Sequence, residues 1–380
     1  MPVQDSLLIQ VVPRLLPGRC GVSDQAVLLA EELRSGFGID TAFAVVNSDQ
    51  RCEVPYPVVH CPALNLLDTC LKLTAGRPGA VLVHLSGYGY SVDGAPADLA
   101  QALAGMRACG KFQIGVYFHE LFASGMPWQS AFWHARRQQR VLRSVAALAD
   151  LLVTNIGLSA SWLERDLARH GRTAPALARL PVFSAIGETA QPRSIAEREP
   201  GLAVFGLPGS RKRAYRGLPS LGRTLRLLGI REIVDVGQEC DAPSRVLGIP
   251  VRRMGELPAA EVAAVFSKLS FALVSYPPPC LAKSSVFASV CAQGTVPVLP
   301  KGFSGEWDGL RDGKQLVSPR TVDAVLASGL GECSRSAWRW YHQHRRAVHA
   351  RLYAQWLNGR TAEHGTGTDA AALAAGVPGA

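Results

Sequence analysis

The sequence lacks the features that mark disulfide-bonded, zinc-binding and membrane-spanning proteins. Its nine cysteines include no C-x-x-C pair and no spacing typical of a zinc site. Most stand among apolar or small residues, as reduced core thiols do, which predicts a reducing compartment. The apolar run over residues 6–12 is too short for a signal peptide or a membrane span. We therefore expect a metal-free protein of the cytoplasm.

Motifs for nucleic-acid binding are missing as well, although the chain is basic. Its 40 lysines and arginines exceed its 30 acidic residues, for a net charge of +10. Such a charge suits nucleic acid, an anionic membrane surface or a phosphorylated small molecule. The arginines are spread over many segments, and no RNP, zinc-finger or basic-zipper pattern occurs. We therefore expect no nucleic-acid partner.

The chain has too few charged residues for a disordered protein and is too long for one hydrophobic core. Charged residues make up 18% and hydrophobic residues 48% of its 380 positions, which predicts two folded domains. Apolar runs typical of buried strands alternate with helical patterns in both halves. The predicted strands cover residues 7–12, 41–46, 80–85, 112–118 and 151–154, and then 202–205, 232–236, 271–276 and 296–299. Strands separated by helices predict parallel sheets covered on both faces.

A stretch without an apolar stripe separates the two halves. Residues 188–201 contain Q-P-R and R-E-P, which are typical of a linker. The predicted organisation is a first domain over residues 1–187, the linker, a second domain over 202–335, a basic aromatic helix over 336–360 and a mobile tail over 361–380.

The loop after the first strand, over residues 17–24, reads P-G-R-C-G-V-S-D. Ser23 or Asp24 is predicted to cap the helix that follows. Glycines let a backbone approach a ligand, and free N–H groups at a helix start favour an anion such as a diphosphate. The loop lacks the third glycine of the dinucleotide fingerprint, and an ordinary turn explains it equally well.

Three consecutive cations follow the first strand of the second half. Arg211, Lys212 and Arg213 come after a Gly/Pro turn at 206–209, where they could neutralise a diphosphate. A solvated basic turn is the alternative. Later in the chain, Lys283, Ser284 and Ser285 stand at a predicted helix start, where hydroxyls, N–H groups and a cation could bind phosphate. Ser284 could equally be a simple helix cap.

These segments, in this order, resemble GT-B glycosyltransferases, in particular bacterial retaining enzymes that use sugar nucleotides in polysaccharide synthesis. The matching segments are C-G-V at 20–22 with the helix after it, H-L-S-G-Y-G-Y at 84–90, V-Y-F-H-E at 116–120, M-G-E-L-P-A-A-E at 254–261 and K-S-S-V-F at 283–287. The family's two glutamates would fall on Leu281 and Ser289, counting back from Gly294. The chain is therefore similar to a subgroup that lacks the acidic double-glutamate motif.

The resemblance implies an α/β protein with two Rossmann-like domains facing an interdomain cleft and a C-terminal helix that crosses back to the first domain. It implies transfer of a hexose from a nucleoside diphosphate sugar to a glycan or lipid-linked acceptor, with retention and without a metal or cofactor. The implied donor diphosphate site comprises Gly21, Arg211, Lys212, Lys283, Ser284 and Ser285. Glu256 and Leu257 would flank the nucleotide base, and His119 and Glu120 would be the catalytic residues at the transferred sugar.

The missing glutamates keep two other functions open. One is a non-catalytic GT-B subunit that binds an active partner or a glycan. The other is an epimerase of GT-B shape that acts on a nucleotide sugar.

A basic helix in the first half adds a further candidate surface. Arg136, Arg137, Arg140 and Arg143 recur at three- and four-residue spacing, which predicts a cationic stripe along one face. Such a stripe could contact an anionic membrane that carries a lipid-linked acceptor. A solvated helix face explains the spacing at least as well.

Overall fold

The chain forms two compact units of α/β structure. The computed structural model describes residues 7–15, 21–46, 48–123, 128, 130–171 and 176–359. The first unit comprises residues 1–180 together with 346–380, and the second comprises residues 181–345. The predicted tail over 361–380 and part of the predicted loop over 17–24 lie outside the described residues.

A parallel sheet of seven strands forms the centre of the first unit. The strands are β1 (Leu8–Val12), β2 (Thr41–Val46), β3 (Val58–Cys61), β4 (Gly79–Leu85), β5 (Phe112–Phe118), β6 (Leu151–Thr154) and β7 (Ala176–Arg179). Their order in the sheet is β3-β2-β1-β4-β5-β6-β7, and all of the pairs are parallel. Chain order reverses between β1 and β4, which is the doubly wound arrangement of a Rossmann-like fold.

Helices cover both faces of this sheet. They are α1 (Gly21–Phe37), α2 (Leu66–Leu73), α3 (Gly87–Tyr90), α4 (Ala97–Cys109), α5 (Ser130–Leu148), α6 (Gly157–Arg169) and, from the end of the chain, α13 (Arg346–Asn358). Apolar residues of α2, α4, α5 and α6 pack against Ile9, Val81, Ile114 and their neighbours in one core. Side chains alternate along a strand, so Gln10, His84 and Tyr117 point to the other face.

The helices α1 and α13 cover that second face. Trp356 of α13 lies over Gly115 in the middle of β5, where a Cβ atom would be 2.9 Å from the indole ring. Arg346, at the start of α13, forms ion pairs with Glu31 and Glu32 of α1 at 3.2 and 3.0 Å. The last helix therefore belongs to the first unit, as the resemblance implies.

The second unit has its own sheet of six strands. They are β8 (Glu199–Phe205), β9 (Glu232–Val236), β10 (Arg245–Val246), β11 (Ile249–Gly255), β12 (Leu269–Leu273) and β13 (Val296–Val298). The order is β10-β11-β9-β8-β12-β13, and of the described pairs β10 with β11 is antiparallel while the others are parallel. Chain order reverses between β8 and β12, so this unit is also doubly wound.

Helices again cover both faces in the second unit. They are α7 (Pro208–Gly217), α8 (Gly222–Leu227), α9 (Ala259–Lys268), α10 (Ser285–Ala292), α11 (Val322–Ser328) and α12 (Leu330–His342). Leu202 and Val204 of β8 pack in one core with residues of α7, α8 and α11. Phe205 packs edge to face against Phe266 of α9, with ring centroids 5.6 Å apart.

The structure corrects two predicted boundaries. Residues 199–201, predicted as part of the linker, are the first residues of β8. The single helix predicted over 336–360 is two helices, α12 and α13, which belong to different units. Tyr341 of α12 accepts a hydrogen bond from the backbone N–H of Ser184 at 2.9 Å, whereas α13 packs in the first unit. The chain leaves one unit for the other between these helices, which is why the helix ends there.

None of the helices in the described ranges combines the length and the hydropathy that a membrane span requires.

Candidate functional site

A pocket of about 410 Å³ lies at the carboxyl ends of the central strands of the second unit. Its lining residues come from the segments that follow β8 and β9 and from the end of β11: Pro208, Lys212, Glu239, Cys240, Asp241 and Arg253. In doubly wound sheets, ligands bind outside the carboxyl ends of the strands near the point where chain order reverses. The pocket lies at this edge of the sheet, beside β8, β9 and β11, on one side of the reversal between β8 and β12.

Glycines end both strands that lead into the pocket. Gly206 follows β8 with φ +126°, and Gly237 follows β9 with φ +139°, values that L side chains rarely adopt. A Cβ atom on Gly237 would lie 2.7 Å from the carbonyl oxygen of Gly206 and 2.5 Å from Nη1 of Arg211. The absence of side chains thus lets the two loops and this guanidinium come together.

Arg211 lies beneath the pocket in a buried ion pair, with a side chain that is 2% exposed. Its Nη2 is 2.6 Å from Oδ1 of Asp235, and its Nε donates to Oδ2 at 3.2 Å. Nη1 donates to the carbonyl oxygen of Gln238 in the loop after β9, and Nη2 contacts the Sγ of Cys240 at 2.8 Å. Tyr215 donates to Oδ2 of the same carboxylate at 2.7 Å, and burial beside that carboxylate raises the pKa of the Tyr215 hydroxyl.

This geometry corrects the predicted role of Arg211 as a diphosphate ligand. A ligand could reach the guanidinium only if the ion pair with Asp235 opened, and that would leave a buried carboxylate without its cation. The sequence predicts a turn here, but the three cations stand on helix α7 and so point in different directions. Arg211 is a structural residue that holds the pocket loop over 237–241.

Lys212 lines the pocket, as its predicted role requires. Its Nζ is 2.9 Å from Oδ2 of Asp241, whose side chain is 93% exposed while that of Lys212 is 48% exposed. Exposed ion pairs contribute little free energy, so an anionic ligand can replace the Asp241 carboxylate at small cost. Arg213 is exposed and donates to the Oγ of Ser210 at 3.1 Å.

Arg253 is a second cation of the pocket that the sequence interpretation missed. Its guanidinium donates to the carbonyl oxygen of Ala242, and the residue stands at the end of β11 before the G-E-L-P turn. Strand β11 was not predicted either, so no predicted element pointed to this residue. The predicted base-flanking residues follow directly, with Glu256 exposed and Leu257 half-buried. Gly255 accepts a hydrogen bond from the N–H of Gly237 at 2.8 Å, which joins this turn to the pocket loop.

The segment over 283–285 begins helix α10 in the same unit. Ser284 is buried, and its Oγ accepts a hydrogen bond from the N–H of Phe287 at 3.2 Å, so the helix-cap interpretation is confirmed. Lys283 and Ser285 flank it and are half-buried. A Cβ atom on Gly206 would lie 3.3 Å from Val286, so the start of α10 lies beside the end of β8.

The two positions that hold glutamates in the resembling family are closed to ligands. Leu281 is fully buried, and Ser289 is 1% exposed. The Oγ of Ser289 accepts a hydrogen bond from Ser184 at 3.3 Å. Neither side chain replaces a carboxylate that would bind sugar or ribose hydroxyls.

The remaining predicted site residues belong to the first unit. Gly21 is the exposed first residue of α1. The helix begins before the predicted caps, and the Oγ of Ser23 donates instead to the carbonyl oxygen of Arg14 at 2.6 Å. Glu120 is exposed and follows His119, which comes directly after β5.

His119 is buried and part of a polar chain within the first unit. Its Nε2 is 3.1 Å from Nδ1 of His84, and Nε2 of His84 is 2.6 Å from Oε1 of Gln10. Burial lowers the pKa of His84 to about 3 and holds the pKa of His119 well below its ordinary value. Both imidazoles are therefore neutral at pH 7. The sequence interpretation missed Gln10, whose signal was a polar residue inside an apolar strand.

Two of the four arginines in the predicted stripe on α5 form ion pairs within the first unit. Nη1 of Arg137 is 2.8 Å from Oδ2 of Asp93, and Nε of Arg143 is 2.7 Å from Oδ1 of Asp166. Arg136 and Arg140 are exposed.

Exposed aromatic side chains occur near the beginning of the same helix. Trp128 is 76% exposed and Trp133 is 72% exposed, while Phe132 packs against Trp133 with ring centroids 5.4 Å apart.

Comparison with known proteins identifies the fold by structure alone. No protein-family model matches the sequence, and no curated protein matches it at a significant level. Among solved structures, an alpha-glucosyltransferase in complex with UDP matches with a TM-score of 0.58 and 12% identity, over 93% of this chain and 99% of that chain. A structure of an alpha-glucosyltransferase with UDP-glucose and DNA containing an abasic site matches with a TM-score of 0.56 and 12% identity, over the same shares.

A third similar structure is described as a different kind of enzyme. A protein from Listeria monocytogenes, proposed to be a UDP-N-acetylglucosamine 2-epimerase, matches with a TM-score of 0.52 and 11% identity, over 96% of this chain and 98% of that chain. The chain thus has the GT-B fold of two Rossmann-like domains, which glycosyltransferases share with such proteins.

The burial of Arg211 generates a stability prediction. We expect Arg211→Leu to lower the free energy of unfolding by about 3–5 kcal/mol, because Asp235 would remain buried without its cation. Urea unfolding followed by circular dichroism measures this change. Arg223→Leu, which removes an exposed arginine paired with Asp323 at 2.9 Å, is the matched control and should leave the midpoint unchanged. Equal midpoints for the two variants would contradict the structural role of Arg211.

Proposed function

We propose that this protein is a glycosyltransferase that moves a hexose from a nucleoside diphosphate sugar to a glycan or lipid-linked acceptor. The observation that carries the proposal is the pocket at the carboxyl ends of β8, β9 and β11, which places Lys212 and Arg253 beside the carboxylates of Glu239 and Asp241, in a chain with the GT-B fold. The proposal includes retention of the anomeric configuration and no requirement for a metal ion.

Lys212 and Arg253 would neutralise the diphosphate in this pocket. Departure of a nucleoside diphosphate places negative charge on its oxygens, and fixed cations stabilise that charge as it develops. The start of α10, with Lys283 and Ser285, would contribute further N–H groups and a cation. Arg211 would act indirectly, because it holds the loop that carries Glu239 and Asp241.

His119 and Glu120 of the first unit would act on the sugar. A neutral imidazole suits a sugar hydroxyl better than a phosphate, because it brings no charge to the contact. Glu120 is exposed and next to it in the chain, so its carboxylate would orient the sugar or the acceptor hydroxyl.

An epimerase that acts on a nucleotide sugar is the second candidate. The similarity in fold to the Listeria protein and the absence of both family glutamates favour it. Such an enzyme would use the same diphosphate pocket, so the pocket alone does not separate the two reactions.

A reaction assay distinguishes these functions. We expect release of nucleoside diphosphate that depends on an added acceptor, when UDP-, GDP-, ADP- and dTDP-glucose are each tested with glycan, lipid-linked and DNA acceptors. Proton NMR of the same mixtures would reveal sugar isomers if the protein is an epimerase. A protein that binds a nucleotide sugar but yields neither product would instead be a binding subunit.

A binding experiment tests the donor site directly. We expect Lys212→Ala and Arg253→Ala each to weaken binding of the preferred nucleoside diphosphate by about 1–3 kcal/mol, the scale of a charge-assisted hydrogen bond. A comparable loss is expected for Lys283→Ala, and none for Arg213→Ala, whose side chain does not line the pocket. Calorimetric titration measures these affinities. Parent-like binding by both pocket variants would show that the donor site lies elsewhere, even with the fold correct.

We also propose peripheral contact of α5 with an anionic membrane. Trp128 and Trp133 would enter the interfacial layer, and Arg136 and Arg140 would meet anionic headgroups. We expect Arg136→Glu with Arg140→Glu to abolish cosedimentation with vesicles of anionic phospholipid, since each basic residue near the surface contributes about 1 kcal/mol. Arg165→Glu with Arg169→Glu on α6 makes the same charge change as a control. If both double variants lost vesicle binding equally, the net charge of the protein and not the surface of α5 would explain the binding.

A further inference from the structure

A chain of hydrogen bonds crosses three neighbouring strands of the first unit. Gln10 lies on β1, His84 on β4 and His119 directly after β5, and these strands are adjacent in the sheet. Oε1 of Gln10 is 2.6 Å from Nε2 of His84, and Nδ1 of His84 is 3.1 Å from Nε2 of His119. All three side chains are buried.

The hydrogen bonds of Gln10 fix which group donates and which accepts along this series. Nε2 of Gln10 donates to the backbone carbonyl of Ala26 in α1 at 3.1 Å. A carbonyl oxygen can only accept, so the amide cannot turn over without placing two oxygens against each other. Oε1 of Gln10 therefore faces His84 as an acceptor, and Nε2 of His84 must carry the hydrogen.

The donor and acceptor atoms of His84 and His119 follow in turn from this assignment. A neutral imidazole has one N–H group and one lone pair. Burial keeps His84 neutral, so its Nδ1 has the lone pair and accepts a hydrogen bond from Nε2 of His119. His119 is neutral for the same reason, so its Nδ1 also has a lone pair. Among the described residues, that nitrogen has no hydrogen-bond partner.

We propose that Gln10 and His84 fix His119 as the Nε2–H tautomer, so that Nδ1 of His119 accepts a hydrogen bond from a hydroxyl group of the sugar or its acceptor. The inference rests on the proposed function for the identity of the ligand, and on the hydrogen bonds alone for the tautomer. It excludes His119 as a cationic partner of the diphosphate. Gln10 and His84 are positioning residues, because they act through His119.

Nitrogen NMR of the parent protein labelled with [¹⁵N]histidine tests the tautomer without any substrate. Long-range proton–nitrogen correlations distinguish the two neutral tautomers and the cation, and His84→Asn and His119→Asn identify the two rings. We expect both rings to show a protonated Nε2 and an unprotonated Nδ1 at pH 7. A protonated Nδ1 on His119, in either the other tautomer or the cation, would overturn the proposal.

A pair of glutamine variants then tests the positioning role. Gln10→Met removes the acceptor for His84, so we expect His119 to become a mixture of tautomers. Gln113→Met makes the same change on β5, at a residue that forms no hydrogen bond with Gln10, His84 or His119. This control should leave the histidine nitrogen spectrum like that of the parent. A pure Nε2–H tautomer of His119 in folded Gln10→Met would overturn the role of Gln10.

Kinetics separate this inference from the proposed function. We expect Gln10→Met to lower kcat about three- to tenfold, the scale of one hydrogen bond, for release of nucleoside diphosphate from the best-bound nucleotide sugar with the glycan, lipid-linked or DNA acceptor that supports release by the parent. The calorimetric Kd for the nucleoside diphosphate should stay unchanged, because its pocket lies in the second unit. An unchanged kcat in a variant with mixed tautomers would overturn the hydroxyl contact. A parent protein that binds no nucleotide would overturn the proposed function instead, while the NMR spectrum would still decide the tautomer.

Discussion

In a parallel sheet, the loops that follow the carboxyl ends of the strands all lie at the same edge. This constraint determines where candidate ligand-binding residues lie in both units. Because both faces are covered by helices, the strands are nearly all apolar, and polar residues concentrate where the strands end. In the second unit, that edge holds Lys212, Arg253 and the carboxylates of the pocket. In the first unit it holds His119 and Glu120 after β5. The GT-B fold thus supplies two such edges in one chain.

Two groups of buried polar side chains, one in each unit, are satisfied in different ways. In the second unit, the buried charge of Arg211 meets Asp235, and together they hold the loop after β9. In the first unit, Gln10, His84 and His119 remain neutral and satisfy one another by hydrogen bonds in a fixed direction. A buried ion pair can support a loop because removal of one partner destabilises the fold. A series of hydrogen bonds between neutral side chains can instead determine which nitrogen of a histidine carries the hydrogen. The first arrangement supports the loop of the proposed diphosphate pocket, and the second supports the proposed hydroxyl contact of His119.

Much of the fold was predictable because hydrophobic periodicity is a local signal. The strands over 41–46, 112–118, 151–154 and 232–236 agree with the prediction at every residue. Local patterns could not reveal that the basic aromatic segment predicted as one helix over 336–360 is divided between two units, since both of its helices carry apolar residues that are buried. Strands β3, β7, β10 and β11 were also missed, because they lie at or next to a sheet edge and their residues are mostly half-buried or exposed, so they lack the apolar runs of the central strands.

The sequence by itself determined the class of the fold, the segments that carry the candidate site residues and the absence of glutamates at positions 281 and 289. Tertiary structure alone decided which cation of three faces the pocket, because consecutive residues on a helix point about 100° apart and the buried carboxylate that selects Arg211 lies on another strand. It also decided that Ser284 caps α10 and that His119 is linked to Gln10, which is 109 positions earlier in the chain. Contacts between residues so far apart depend on strand order, and strand order is set by packing of the whole unit rather than by any local pattern.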